Sequence, residues 1–420
     1  MIKAIRGTRD ILPPSSAVWN HVESITRETF RVFNYHEIRT PIFEETSLFA
    51  RGVGAETDIV SKEMYTWDDR DGTSLTLRPE NTASVIRAYI EHRLDQVPGL
   101  KKLFYLGPMF RRERPQKGRY RQFFQIGAEC IGSDAPAIDA EVIELAIEIL
   151  ERCGVTGAKL LINSVGDPES RQRYTAALRE ALDPVKDQLS PDNQRRAVTN
   201  PLRVLDSKDP GDEAIITTLP SIHEFLNDEC RSHFARVRDL LDVRGIAYEV
   251  RPRLVRGLDY YTKTTFEILH GALGAQNAVC GGGRYNGLAE SLGSRVPAPG
   301  IGFSIGEDRL VMSLEESLNA AEIAPLDLFI APLGADAAGP AALLARDLRR
   351  AGLAVEVSTD AKLKRALETA NKLNARFTLM LGENEIAAGT FTVKNMTTGE
   401  QQTLSRDAIE EAVRPPSRQV

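Results

Sequence analysis

The residues with the clearest chemical content lie between Leu103 and Ile131. This stretch reads as two apolar strands joined by a loop that is nearly all positive charge. The two-residue period of a strand puts Arg111 and Glu113 of Phe110-Arg111-Arg112-Glu113 on one face. On the return strand Phe123, Gln125, Gly127 and Glu129 share a face, while Phe124, Ile126, Ala128 and Cys130 share the other. The second set is a core face. The first gathers an arginine, an aromatic ring, an amide and two carboxylates. Between the strands stand Arg114, Lys117, Arg119 and Arg121, with Pro115 and Gly118 marking a loop. Positions 111–121 hold six basic residues and one acidic residue, a local footprint for a polyanion. A large polyanion carrying a flat ring suits this combination. The competing reading is an exposed hairpin with a solvated charged face.

Three further runs bear chemistry. In Arg256-Gly257-Leu258-Asp259-Tyr260-Tyr261, read as a strand, adjacent tyrosines point to opposite faces, so one lines a pocket while the other packs outside it. Ala278 to Tyr285 is read as a strand ending in Gly281-Gly282-Gly283, where backbone passes close to something bulky. A tight structural turn is an equal reading of either run alone. Gly302 to Leu310 reads as a small-residue strand turning at Gly306 into a helix, with Arg309 in its first turn; a structural salt bridge is the bland account of that arginine. Gly257–Thr264 nearly spells a P-loop, but Thr262 stands where the second glycine must be. The glycines at 281–283 lack the context of a dinucleotide fingerprint. If the chain binds ATP, arginines must hold the triphosphate, through planar and often bidentate contacts.

The elements that must position these residues follow from pattern. Residues 14–35 have helical spacing behind Pro13-Pro14, His36 to Pro41 reads as a strand stopped by proline, and Asn81 to His92 as a helix. Ala137 to Cys153 forms an amphipathic helix ended by Gly154. Residues 168–248 are charged and helical, broken by five prolines, and read as an inserted module. From about Ala324-Pro325 the pattern alternates βαβαβ through Leu381, which implies a small sheet with parallel strands.

At 420 residues, and about 150 residues per domain, two or three domains are expected. A net charge of −6 argues mildly against a nucleic-acid coat protein without excluding a local patch. The four cysteines form no C-x-x-C pair, and the six histidines form no H-E-x-x-H, so a disulfide framework and a cysteine zinc site are not expected. No apolar run approaches a membrane span and no signal peptide is visible, so a cytoplasmic protein is expected.

Together these segments resemble class II aminoacyl-tRNA synthetases, and specifically the histidyl-tRNA synthetase family. The likeness runs the whole length of the chain. Arg6-Gly7-Thr8-Arg9-Asp10 is similar to that family's N-terminal signature, Glu37 to Pro41 to motif 1, Phe110 to Glu129 to motif 2, and Gly302 to Arg309 to motif 3. Arg256 to Tyr261 and Gly281 to Tyr285 look like the two histidine-specific motifs. The resemblance implies an α+β catalytic domain built on an antiparallel sheet (1–167 and 249–323), a helical insertion (168–248) and a small C-terminal α/β anticodon-binding domain (324–420). It implies activation of L-histidine with ATP, Mg²⁺ on the phosphates, transfer to tRNA(His), and a homodimer built through motif 1.

By the same resemblance, Phe123 stacks on adenine, Glu113 reads its amine, Arg111 holds the α-phosphate, and Arg119 and Arg309 grip the outer phosphates. Glu80, Thr82 and Gln125 receive the α-amino group of histidine. Glu129 and Tyr261 bond the imidazole, with Tyr260 beside them. Arg256 and Arg111 are the catalytic groups, and Gln116 meets the tRNA acceptor end. Asn34 and Asn81 stand where relatives carry glycine; asparagine tolerates left-handed backbone. The insertion lacks paired cysteines, so no structural metal is expected there. An alternative is a catalytically inactive histidine-sensing paralogue that regulates histidine biosynthesis. Such a chain should lack the last domain and show eroded arginines, whereas Arg111, Arg119, Arg256 and Arg309 are all present.

Overall fold

The computed structural model describes residues 2–54, 57–116, 118–207, 209–271, 273, 277–314, 318, 326–360 and 362–414. Lys117 and the boundary expected at Ala324-Pro325 lie outside them. Two compact units are present: Met1–Ile11 with Val22–Glu316, and Leu12–His21 with Ser317–Val420.

The strands of the first unit are, in chain order, β1 (His36–Glu37), β2 (Phe43–Glu45), β3 (Tyr65–Asp68), β4 (Ser74–Leu77), β5 (Lys101–Phe110), β6 (Gln122–Ile131), β7 (Lys159–Ser164), β8 (Glu249–Val250), β9 (Thr262–Leu269), β10 (Ala278–Arg284) and β11 (Gly300–Gly306). Eight of them form one sheet in the order β1-β5-β6-β11-β10-β9-β7-β8. Its centre is antiparallel, and only the edge pairs β1–β5 and β7–β8 are parallel. The period-two reading of β6 holds: Ile126, Ala128 and Cys130 are buried on the face that meets the helices. Phe30, on the helix Ser15–Val32, stacks on Phe104 of β5 with ring centres 4.3 Å apart. The helix Pro136–Arg152 packs on β10 and β11 and against the helix Asp228–Val243.

Local details differ from expectation. β5 ends at Phe110, so Arg111 to Glu113 extend beyond the strand, after the Phe110 N–H has bonded to Arg78 O at 3.0 Å. Arg256 to Tyr261 is a loop leading into β9, not a strand. The triple glycine lies inside β10 rather than at its end. Asn34 has φ 60°, the left-handed conformation that asparagine tolerates. Asn81 does not (φ −118°, ψ −11°); its Oδ1 accepts from the Thr40 hydroxyl at 2.6 Å.

Residues 168–248 form helices and short 3₁₀ turns with an apolar cluster of their own, including Tyr174, Leu178, Val204 and Cys230. In the second unit β12 (Leu326–Pro332), β13 (Val355–Val357) and β14 (Ala375–Leu381) pair in parallel, as the alternation implies. Two strands the sequence reading passed over, β15 (Thr390–Asn395) and β16 (Gln401–Ser405), extend the sheet antiparallel to the order β13-β12-β14-β15-β16. Among the described residues no helix is long and apolar enough to cross a membrane.

Candidate active site

Above the other face of the large sheet lies a cavity of about 380 Å³. It takes in every site residue expected from the sequence except Gln116, which is exposed in the hairpin loop and bonds Arg119 through the backbone, at 2.9 and 3.2 Å.

One end is cationic. Arg111 Nε donates to Pro79 O at 2.9 Å, and the guanidinium carbon lies 5.3 Å from the centre of the Phe123 ring. Arg119 pairs with Glu113 at 3.1 Å. Arg309, from the first turn of the helix Glu307–Leu314, crosses to donate to Ala278 O at 2.7 Å and Gly118 O at 3.3 Å. Burial, then the neighbouring Arg119 charge, hold Arg309 below the ordinary arginine range. Like charges gathered in this way form a site that a polyphosphate relieves.

The N-terminal segment braces this end. Gly7 O accepts from Arg121 N at 2.7 Å, and Arg9 pairs at 2.8 Å with Asp308, which also accepts from Phe124 N at 2.8 Å.

The other end is polar and enclosed. Glu80 accepts from the N–H groups of Thr82 (2.7 Å) and Ala83 (3.0 Å), so it closes the N-terminus of the helix Thr82–Glu91. The Thr82 hydroxyl donates to Glu129 Oε1 at 2.7 Å, with the Tyr105 hydroxyl 3.5 Å from the same oxygen. Burial pushes Glu129 up to about 8, against the pull of the Thr82 bond. Tyr260 and Tyr261 both line the cavity, their rings edge to face at 4.8 Å. That corrects the expectation that one packs outside: in a loop, neighbouring side chains do not alternate between faces. Burial pushes Tyr261 up to about 12, so it keeps its proton for donation.

Arg256 pairs with Glu267 of β9 in the same cavity. A Cβ at Gly281 would land in the Arg256 guanidinium, and one at Gly302 on the Glu129 carboxylate. These glycines let the Arg256 guanidinium and the Glu129 carboxyl lie close against the sheet. Three buried atoms, Gln125 Oε1, Glu129 Oε2 and Arg256 Nε, have no hydrogen-bond partner among the described residues. Orphans of this kind are costly to leave unmade, and here they surround one hollow.

Glu267, Tyr105 and Tyr285 line the cavity without having been singled out as site residues. Signals for two of them existed. Glu267 sits between the core residues Phe266 and Ile268, so a two-residue period turns it to the opposite face. Tyr105 pairs across the sheet with Gly127, the partner that leaves room for its ring.

An antiparallel sheet, an arginine-lined hairpin and a motif-3 arginine over one cavity are the architecture of a class II aminoacyl-tRNA synthetase. The comparisons are narrower. Residues 7–310 match the family model described as histidyl-tRNA synthetase, and 327–415 match the model of an anticodon binding domain. The histidine–tRNA ligase of Solibacter usitatus (strain Ellin6076) is 67% identical over 97% of this chain and 98% of its own length. The crystal structure of apo S. aureus histidyl-tRNA synthetase has a TM-score of 0.81 at 42% identity, covering 98% of this chain and 100% of that one. A structure described as an ATP phosphoribosyltransferase regulatory subunit/histidyl-tRNA synthetase from Bacillus halodurans C shares the fold, with a TM-score of 0.66 at 23% identity over 91% of this chain and 98% of its own. This chain belongs to the histidyl-tRNA synthetase family.

Proposed function

We propose that the cavity joins L-histidine to ATP as histidyl-adenylate, and that the chain then passes the histidyl group to the 3′ end of tRNA(His). Phe123 offers a flat apolar face for adenine, with Glu113 positioned to read its amino group. Arg111 takes the α-phosphate, and Arg119 and Arg309 take the outer ones. Mg²⁺ would come with ATP as its counter-ion, an ion that keeps most of its ligands from water and phosphate.

At the enclosed end, Glu80, Thr82 and Gln125 receive the α-amino group. Glu129 accepts from one imidazole nitrogen while Tyr261 bonds the other. The histidine carboxylate, already ionised, attacks the α-phosphorus; the new O–P bond forms as the bond to the bridging oxygen breaks and pyrophosphate leaves. No side chain has to take a proton in this step, so orientation and charge compensation supply the acceleration. Arg256 stabilises charge on the α-phosphate in the transition state. In the second step a hydroxyl of the terminal ribose attacks the carbonyl carbon; the new ester bond forms as the acyl C–O bond to the phosphate breaks, and AMP leaves with the hydroxyl proton passing to its phosphate. Another amino acid in this pocket strands the groups that bond the imidazole, which is selection by unpaired polar atoms.

The same reading assigns 1–167 with 249–323 to catalysis, 168–248 to contact with the tRNA, Gln116 to its acceptor end, and 324–420 to the anticodon. A cytoplasmic homodimer is part of it. The exposed aromatic pair Phe43 (51%) and Trp67 (40%), 6.0 Å apart on the small sheet β2-β4-β3, supports a covered surface there.

The observation that carries this reading is the convergence of Arg256 and Glu129, each with an unpaired atom, beside the arginine-lined hairpin. Histidine-dependent ATP–pyrophosphate exchange tests it. Arg256→Ala should lower the exchange rate by about 10²-fold or more while calorimetry still detects histidine binding. Full exchange in that variant would remove Arg256 from its role. A histidine sensor would bind histidine and show no exchange in the wild-type chain.

A further inference from the structure

We propose that Arg171 and Arg203, on the helical segment 168–248, are positioning residues for histidine activation: they hold the loop 256–261 in the shape that aims Arg256, Tyr260 and Tyr261 into the cavity. The proposal rests on the reading of the cavity given above.

The loop carries three of the groups assigned to the reaction, yet it lies outside any strand, so sheet pairing does not fix it. Side chains take up its carbonyls instead. Arg203 Nη2 donates to Gly257 O at 2.8 Å. Arg171 Nη1 donates to Asp259 O at 2.8 Å, and its Nη2 to Tyr261 O. Two guanidinium groups thus hold alternate carbonyls on both sides of Tyr260. The approach to the loop is tied down in the same way. Asn163 Nδ2 donates to Pro252 O (3.1 Å) and Leu254 O (3.0 Å), while its Oδ1 lies 2.9 Å from His223 Nε2. Arg253 reaches back to Thr217 O at 2.6 Å.

Arg171 is itself well anchored. It stands in the first turns of the helix Pro168–Leu182, whose capping Asp167 accepts from Ser170 N at 2.8 Å and from Asn227 Nδ2 at 2.9 Å. Burial pulls it below the ordinary arginine range, against the charge of Asp259. A guanidinium desolvated in order to grip main chain is an expensive way to build a loop and a good way to fix one. Its planar fork spans two carbonyls, which an ammonium on a flexible stem does not. A displacement of about 1 Å at the reacting groups is enough to cost roughly 10²-fold.

The test is histidine-dependent pyrophosphate exchange by the full chain carrying Arg203→Met, Arg203→Lys or Arg171→Lys, with melting temperatures measured alongside. Arg203→Met should lower kcat/KM for histidine by about tenfold or more, with KM for ATP within about twofold of wild type and an unchanged melting temperature. Arg203→Lys, which keeps one donor, should recover part of the loss. Arg171→Lys should stay impaired, because one ammonium cannot hold both carbonyls. Wild-type exchange in Arg203→Met and Arg171→Lys would overturn the proposal. So would a rise in KM for ATP as large as that for histidine, or a loss that follows the melting temperature. Absence of histidine-dependent exchange in the unmutated chain would instead sink the reading of the cavity.

Discussion

Glu129 is 1% exposed, has one oxygen unpaired among the described residues, and is pushed by burial to about 8. An unfolded glutamate titrates near 4.3, so between roughly pH 4.3 and 8 the folded chain holds a proton that the unfolded chain has lost. Stability therefore falls as pH rises through that window. Glu307, fully buried with both oxygens unpartnered among the described residues, is also pushed to about 8, by burial and then by Glu23, and carries the same sign. Replacing either by glutamine should raise the melting temperature near about pH 8.5 and change little near about pH 5. The two then part company: Glu129→Gln should weaken histidine binding by about tenfold or more, while Glu307→Gln should leave exchange unchanged. Thermal melts at both pH values with a histidine titration check both. A two-residue period was enough to find Phe123, Gln125 and Glu129 together. It could not reveal that Glu307 would be buried without a partner, because burial of a helical carboxylate depends on what the rest of the chain lays over it.

Strand β10 shows how one element serves two purposes. Gly281 clears space for Arg256 and Gly283 for the Tyr261 ring, while Arg284 turns to the helices after a break in register at Gly283/Arg284. There Arg284, fully buried, pairs with Asp139 and donates to Ser133 O at 2.8 Å; Asp139 also meets His233 Nε2 and the Thr264 hydroxyl, each at 2.6 Å. Burial opposes the Asp139 charge, but His233 and Arg284 hold its carboxyl below the usual range. Removing one partner leaves a buried charge uncompensated, so Arg284→Met should cost about 3–5 kcal/mol of stability, read by denaturant unfolding. A loss under about 1 kcal/mol would mean that the cluster is not a structural anchor. Helices and the βαβαβ run were legible because their patterns repeat over many residues. Arg256–Tyr261 was misread as a strand, since aromatic and apolar residues in a short run look the same in a strand and in a loop clamped by distant arginines. Arg171 and Arg203 were invisible for the complementary reason: in a charged helical stretch nothing local marks which arginine faces a loop.

The chain falls into two compact units, with the cavity wholly inside Met1–Ile11 and Val22–Glu316. A chain ending at residue 324 should keep histidine-dependent pyrophosphate exchange and lose most tRNA charging. Charging at full efficiency would remove the last domain from anticodon recognition. A net charge of −6 alone gave little hint of a nucleic-acid partner, because the six basic residues of positions 111–121 are averaged with 53 basic and 59 acidic residues over the whole chain.

The order of the large sheet has a consequence for synthesis on the ribosome. β11, the last strand of that sheet to be made, lies between β6 and β10. A nascent polypeptide halted before Glu249 would expose Arg111 and Arg119 without Arg256 or Arg309, and the edge of β6 would still await its neighbour. Half-built copies therefore display a cationic hairpin without the rest of the cavity, which is complete only once Arg309 has been made, with the last domain still to follow.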